Sequence, residues 1–409
     1  MTFCPLRWTY LQVDLQQGRV RACCKTPFQQ ITAEDLADCG VDAVFDGPYM
    51  RARRAEMLSG IRHDDCATCW REEELGLASY RLVQSPKFVL PAEEMARRGD
   101  TNGVPRHVEI IFDTVCDLKC NYCGPDFSSA WGRDVAHYGP LPGVSHPPSF
   151  SAPPGFADTF WRWFAVHRDS LDYVQVNGGE PLLNARFRQF AEELLTADPP
   201  PRFTFGLITN LNTPPARLRE MLPLLRALSE RRRLRFGISQ DSVGRRAEYI
   251  RFGLSWDRFA DNLRMVLAEC PAADVQIAPT MSALNVTSIE ELLAWLDELG
   301  ADVELRPSIV DAPAFQSPLI LPAELRPYLE RAIRLLERNG RWPAMRVQLE
   351  GLVSNLGVEE DGRGDERRRA FHAYFAELDR RRGSSFPAVF PELQPFWERC
   401  AALSDTRPE

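Results

Sequence analysis

Between residues 107 and 310 short strand-like apolar runs alternate with longer helix-like ones. The strand-like runs are 107–113, 173–178, 203–210, 234–241, 274–281 and 302–310, and helix-like runs at 185–196, 215–230, 256–269 and 288–299 separate the later ones. Six strands with intervening helices predict a parallel sheet, because right-handed crossovers make that arrangement the natural one. The expected fold class is α/β: a partial (β/α)6 TIM-like barrel over residues 101–312. After Val310 the pattern is helical, at 323–339, 344–356 and 366–383 with a Gly/Asp-rich break at 359–365, so residues 313–409 read as a helical appendage.

Two regions depart from this rhythm. Residues 124–158 are rich in Pro, Gly and Ser (Pro140, Pro142, Pro147, Pro148, Pro153, Pro154). A loop of that length is usually functional or mobile, and this one follows a cysteine run directly, so it is expected to cover a reaction chamber. Residues 1–100 read as a separate unit, with a hairpin at 8–23 around Gln17-Gly18 and a helix at 49–59. They hold Cys4, Cys23, Cys24, Cys39, Cys66 and Cys69, six of the eleven cysteines.

With 409 residues, 44% of them hydrophobic and 26% charged, the chain can bury a large core. A net charge of −8 argues against nucleic acid as a partner. The arginine runs at 231–233, 367–369 and 380–382 lie in or beside amphipathic helical stretches and read as solvated faces. No uncharged apolar stretch is long enough to span a membrane, and Arg7 and Asp14 stand where a signal peptide would be apolar. The chain is therefore expected in the cytoplasm, where cysteines serve as reduced ligands more often than as disulfides.

Cys116, Cys120 and Cys123 lie in the run Asp113-Thr-Val-Cys-Asp-Leu-Lys-Cys-Asn-Tyr-Cys-Gly124. Thiolate is the soft ligand that iron–sulfur centres take, and three on one loop with no fourth nearby leave one iron open to a reactant. A zinc knuckle would want a fourth ligand close by, and none follows until His137. In a parallel barrel functional groups gather at the C-terminal ends of the strands. The second strand ends in Asn177-Gly-Gly-Glu-Pro181, the third in Thr209-Asn210, the fourth in Ser239-Gln240-Asp241, and the fifth runs towards Asn285. A turn and a set of helix caps would use the same residue types. Five such positions in order also meet the needs of a polar nucleoside ligand.

Residues 107–310 resemble the core of the radical S-adenosylmethionine (SAM) superfamily. Cys116, Cys120 and Cys123 match its cluster motif, and Gly178-Gly179-Glu180 match the motif that holds the methionine amino group. Thr209 and Asn210 fall at the third-strand position. Ser239 and Asp241 match the ribose-contacting strand, with Asn285 beyond it. Arg251 resembles an arginine that contacts the SAM carboxylate, and Tyr122 occupies the position bordering the adenine. The resemblance implies a 4Fe–4S cluster that binds SAM, cleaves it reductively and yields a 5′-deoxyadenosyl radical that abstracts a substrate hydrogen. It also implies an electron donor such as flavodoxin or ferredoxin.

Cys4, thirteen residues, Gly18, four residues and Cys23 resemble the opening of the auxiliary-cluster domains called SPASM and twitch, and Cys66-Ala-Thr-Cys69 adds a close pair. Four thiolates, Cys4, Cys23, Cys66 and Cys69, would complete an auxiliary 4Fe–4S cluster, with Cys24 a substitute for Cys23 and zinc the alternative metal. In the usual order the auxiliary domain follows the barrel; here it comes first. Cys39, Cys270 and Cys400 read as packed small hydrophobes. Enzymes of this type commonly modify ribosomally made peptides, by crosslinking, oxidation or epimerisation. A small metabolite such as an amino sugar or amino acid is the alternative substrate, and a non-catalytic iron–sulfur or zinc protein the rival class.

Overall fold

The computed structural model describes residues 2–37, 45–84, 94, 96–103, 105–145, 150–197, 202–231, 233–358 and 362–405. Cys39 lies outside them. The chain is mixed α/β, built on one large sheet. Its strands, in spatial order, are Glu304–Leu305, Asp274–Ile277, Leu234–Ile238, Thr204–Thr209, Tyr173–Asn177, His107–Ile111, Tyr10–Asp14, Arg19–Arg21 and Gln29–Gln30. The first seven are parallel, and each of the last two pairs antiparallel with the strand before it.

All six expected strands form, shorter than their apolar runs, and the last two are interrupted. Asp274–Ile277 is followed by Thr280–Met281, and Glu304–Leu305 by Ser308–Ile309; the second members of each pair up in a small parallel sheet of their own. The helices Ala185–Thr196, Pro215–Arg231, Trp256–Glu269 and Ile289–Glu298 lie where the pattern placed them. Local chemistry starts two of them: Asn184 accepts the N–H groups of Arg186 and Phe187, and Ser255 that of Arg258.

Alternation along the strands divides the sheet into two faces. Val108, Ile110, Val174, Val176, Phe205, Leu207, Phe236 and Ile238 share one core with Phe187, Phe190, Leu225, Phe259, Leu263 and Leu292 of the helices. Burying each such side chain contributes about 1.5–3 kcal/mol relative to leaving it exposed. The other face is polar and closed around Gln12, Glu109 and Gln175, with half-buried residues such as Tyr173, Asn177 and Arg235 beside them. Glu109 accepts hydrogen bonds from Gln12 Nε2 at 2.8 Å, Gln175 Nε2 at 2.8 Å and Asn177 Nδ2 at 2.7 Å. Burial raises the Glu109 carboxyl, and Tyr10, Arg21 and Asn177 hold the raise in check.

The hairpin foreseen at 8–23 is present, with Gln12 opposite Arg21, Val13 opposite Val20 and Asp14 opposite Arg19. It is not a detached sheet. Tyr10–Asp14 pairs in parallel with His107–Ile111 over five residues, so the N-terminal cysteine unit is hydrogen-bonded into the main sheet. The helix expected at 49–59 is found as Pro48–Leu58.

Residues 124–158 are not one irregular cover. Ser129–Tyr138 is a helix whose N-cap, Ser128, accepts the Trp131 N–H, and Phe156–His167 begins a second helix inside the expected loop. Proline and glycine density hid both. The stretch between them is tied to the N-terminal hairpin, where the Ala152 N–H donates to Gln16 O at 3.1 Å. At the C-terminus Arg326–Asn339, Pro343–Asn355 and Gly364–Arg382 match the expected helices, and Gln394–Asp405 adds one more.

Candidate functional site

The cysteine loop leaves the end of His107–Ile111 and is held from several sides. Ser129 Oγ accepts the Cys116 N–H at 3.2 Å, and Trp131 Nε1 donates to Cys120 O at 2.9 Å. Lys119–Cys120 pairs antiparallel with Arg251–Phe252. Burial is the first cause raising all three thiols, Cys123 to about 12. Donors nevertheless approach the sulfurs: the Leu118 N–H at 3.5 Å and Asn210 Nδ2 at 3.9 Å from Cys116 Sγ, and Arg251 at 3.7 Å from Cys120 Sγ.

Gly178 and Gly179 have φ of 77° and 58°. A Cβ on Gly178 would meet Ile111 Cγ2 at 2.6 Å, and one on Gly179 would meet Val115 O at 2.4 Å. The pair thus lets this turn lie directly on the start of the cysteine loop, to which Glu180 N–H donates, at Val115 O, over 2.6 Å.

The Glu180 side chain is 1% exposed. Oε1 accepts Thr209 Oγ1 at 2.7 Å and the Leu182 N–H at 3.1 Å, while Oε2 accepts the Asn210 N–H at 2.7 Å. Burial pushes its carboxyl up to about 7 against these donors. Its contacts bind the second strand end to the third. Asn210 Nδ2 continues the chain to Asp117 at 3.0 Å, and Asn212 Nδ2 reaches the other Asp117 oxygen at 2.7 Å.

A second knot closes the far side. Asp241 accepts the Tyr122 hydroxyl at 2.6 Å and the Thr280 N–H at 2.8 Å, and pairs with Arg251 at 2.9 Å. Arg251 lies over the Tyr122 ring, 5.8 Å from its centre. Ser239 is half-buried and its N–H donates to Thr209 O at 2.9 Å. Asn285 is behind this layer, its amide donating to Asp241 O and Thr280 O. The cysteine loop, Gly178–Glu180, Thr209–Asn210, Asp241, Arg251 and Tyr122 are therefore one bonded assembly. Asp117, Asn212 and Thr280 belong to it and escaped the sequence reading, although Asp117 sits within the cysteine motif itself.

The N-terminal thiols converge separately. Cys4, Cys23 and Cys66 share a small core with Leu6, Trp8, Met57 and Trp70, and together with Cys69 they line one pocket with Arg7, Lys25, Asp65 and Arg81. Cys23, not Cys24, lines that pocket; Cys24 packs beside the core, in the field of Glu109. Burial pushes Cys4 and Cys69 up to about 12. Arg7 pairs with Asp65 at 3.0 Å and donates to Cys66 Sγ at 3.5 Å, and its Nε and one terminal nitrogen are buried with no hydrogen-bond partner. A buried cation with spare donors among four thiols suits a centre that carries negative charge. Among the described residues no three His, Cys, Asp or Glu side chains are arranged to hold a single metal ion. Cys270 and Cys400 are buried in the main core, as expected.

No protein-family model and no curated protein matches the chain. Among solved structures it is similar to SuiB of Streptococcus suis (14% identity, TM-score 0.41, 71% of this chain and 63% of that one). It is also similar to native anSMEcpe with bound AdoMet (14%, 0.41, 58% and 62%) and to TYW1 with a lysine-pyruvate adduct bound (13%, 0.33, 57% and 74%). The chain thus spans less than two thirds of SuiB and of anSMEcpe. At these TM-scores the functional reading rests on the residues of the site. Those that carry the resemblance to the radical SAM superfamily stand together around one cysteine loop.

Proposed function

We propose that this chain is a radical SAM enzyme with a partial (β/α)6 barrel, its cluster held by Cys116, Cys120 and Cys123. The observation that carries the reading is the junction of the cysteine loop with three strand ends through two knots, Glu180–Thr209–Asn210–Asp117 and Tyr122–Asp241–Arg251. Glu180 caps the short turn that follows it through the Leu182 N–H, but its remaining contacts, like those of Asp241 with Tyr122 and Thr280, run between separate elements. When bound, the cluster supplies an electron to SAM, whose carbon–sulfur bond breaks to give the radical that takes a substrate hydrogen.

The chain's residues provide the frame for that chemistry. Glu180 and Asp241 hold position, since their oxygens already accept donors of the protein. Asn210, Arg251 and the Leu118 N–H point at thiol sulfurs and so stabilise thiolates. Ser239 and Tyr122 border the nucleoside position. Cys4, Cys23, Cys66 and Cys69 form the auxiliary cluster site of a twitch-like unit spanning residues 1–100, next to the barrel at 101–312 and the helical region at 313–409. The substrate is a ribosomally made peptide, and a flavodoxin- or ferredoxin-type donor delivers the electron.

The test is anaerobic reconstitution followed by reduction with SAM. Cleavage to 5′-deoxyadenosine by a protein holding iron and sulfide is the expected result. A fully loaded protein that cleaves no SAM under strong reductant would leave the scaffold reading in its place.

A further inference from the structure

The run Arg380-Arg381-Arg382 reads from sequence as a solvated face, and two of its three members are not solvated. Arg380 is exposed and pairs with Glu377. The Arg381 side chain is 2% exposed and pairs with Asp134 at 2.9 Å, which also pairs with Lys119 of the cysteine loop. Arg382 reaches into the loop itself. One of its terminal nitrogens donates to Lys119 O at 3.0 Å, the other to Asn121 Oδ1 at 2.7 Å. Its guanidinium lies 4.5 Å from the centre of the Phe252 ring and 5.5 Å from that of Trp131.

The same helix and the segment before it cap the rest of the turn. Asn121 O accepts both the Tyr374 hydroxyl at 2.5 Å and Gln316 Nε2 at 2.9 Å. With Trp131 on Cys120 O, the carbonyls of Lys119, Cys120 and Asn121 each have a side-chain donor. A backbone turn saturated in this way is fixed, because moving it strands several buried donors at once.

We propose that Arg382 is a positioning residue for the cysteine loop. Its fork fixes the turn that carries Cys120 and Cys123, and its charge makes the adjoining metal centre easier to reduce. The helix Gly364–Arg382 is thereby part of the site and not an appendage. A planar fork bonded to two acceptors and stacked between aromatic rings is a task for arginine that lysine does not reproduce. The guanidinium is bonded to the residues on either side of Cys120, which holds its charge beside that cysteine. Only the charge half of the proposal rests on the functional reading above.

The metal-free arm measures alkylation of individual cysteines by mass spectrometry. In Arg382→Lys, which keeps the charge and loses the fork, Cys120 and Cys123 should be modified about tenfold faster, the scale of a lost charge-assisted hydrogen bond, while Cys4 and Cys69 keep their rates. Unchanged rates at Cys120 and Cys123 in the folded variant overturn the positioning role. Should Arg382→Lys not fold, Arg382→Met must show faster hydrogen exchange at the Asn121 and Cys123 amides or the proposal falls. The loaded arm is a potentiometric titration of the cluster. Arg382→Met should shift the midpoint to more negative potential, whereas Arg382→Lys and Tyr374→Phe, which keep the charge, should not. An unmoved midpoint in Arg382→Met overturns the charge role. A parent protein that takes up no cluster defeats the functional reading instead, and the alkylation arm still decides the positioning role.

Discussion

The cysteine loop and the N-terminal cysteine set solve different problems with the same side chain. Cys116, Cys120 and Cys123 come from a single loop, and the wall they face is polar: Glu180, Asn210 and Asp241 from successive strand ends, with Arg251 and the loop's own Tyr122. Cys4, Cys23 and the close pair Cys66 and Cys69 come from three separate segments and line one pocket with Arg7, Lys25, Asp65 and Arg81, beside a small apolar core. Three thiols beside a polar wall leave a coordination position and the groups to orient what fills it. Four thiols around one pocket leave none. The first arrangement suits a centre that reacts, the second one that stores charge or braces the fold.

The sharpest way to break this contrast is to remove one thiol from each set. Cys120→Ala should abolish 5′-deoxyadenosine formation, while Cys66→Ala should retain part of it and lose product formation. Equal loss in two folded variants would mean that the sets do not act separately.

Metal content tests the same contrast with a smaller change. The loaded parent should hold about eight irons, two cubanes, and the variant lacking Cys116, Cys120 and Cys123 about four. Four irons with one tightly held zinc in the parent would assign the N-terminal set to zinc.

Glu180→Gln probes the polar wall. Because both carboxylate oxygens accept donors, the amide must turn its NH2 towards at least one N–H or O–H. The expected cost is about 1–3 kcal/mol of stability, with SAM affinity about tenfold weaker as the Asn210 strand end loosens. The pH dependence has a definite sign. A buried carboxyl raised to about 7 binds its proton more tightly folded than unfolded, so its contribution to stability is greatest in acid and declines as pH rises from about 4.5 to about 7. Thermal melting across that range should be flatter in Glu180→Gln than in the parent. An equal slope would show that Glu180 does not titrate there.

The smallest expected effect is that of Tyr122→Phe, which removes one hydrogen bond to Asp241 and leaves the Arg251 pair in place. SAM binding should weaken by about 1 kcal/mol, measured by calorimetry, with the N-terminal set unaffected.

What the sequence determined alone was local. The order of strands and helices, the hairpin turn at Gln17-Gly18 and the N-caps at Asn184 and Ser255 follow from apolar runs, turn residues and hydrogen-bonding side chains acting over a few positions. The grouping of Cys116, Cys120 and Cys123 is equally local, since one loop supplies all three. What the tertiary structure decided involves partners far apart in the chain. Sequence could not tell that the polar face of the strands, with Gln12, Glu109 and Gln175, is enclosed, because a polar alternation reads the same whether water or other strands face it. Nor could it place the first strand beside His107–Ile111, put Cys23 and not Cys24 in the pocket with Cys4, Cys66 and Cys69, or show that Glu180 and Asp241 tie separate strand ends together. Arg382 is the plainest case. In its own helix it is the last of three arginines at a surface, and only the approach of Lys119 and Asn121, more than 250 residues earlier, makes it part of the site. Periodicity and spacing record what a residue meets within a turn or two, whereas burial, charge pairing and the satisfaction of buried polar groups depend on which distant elements pack against it.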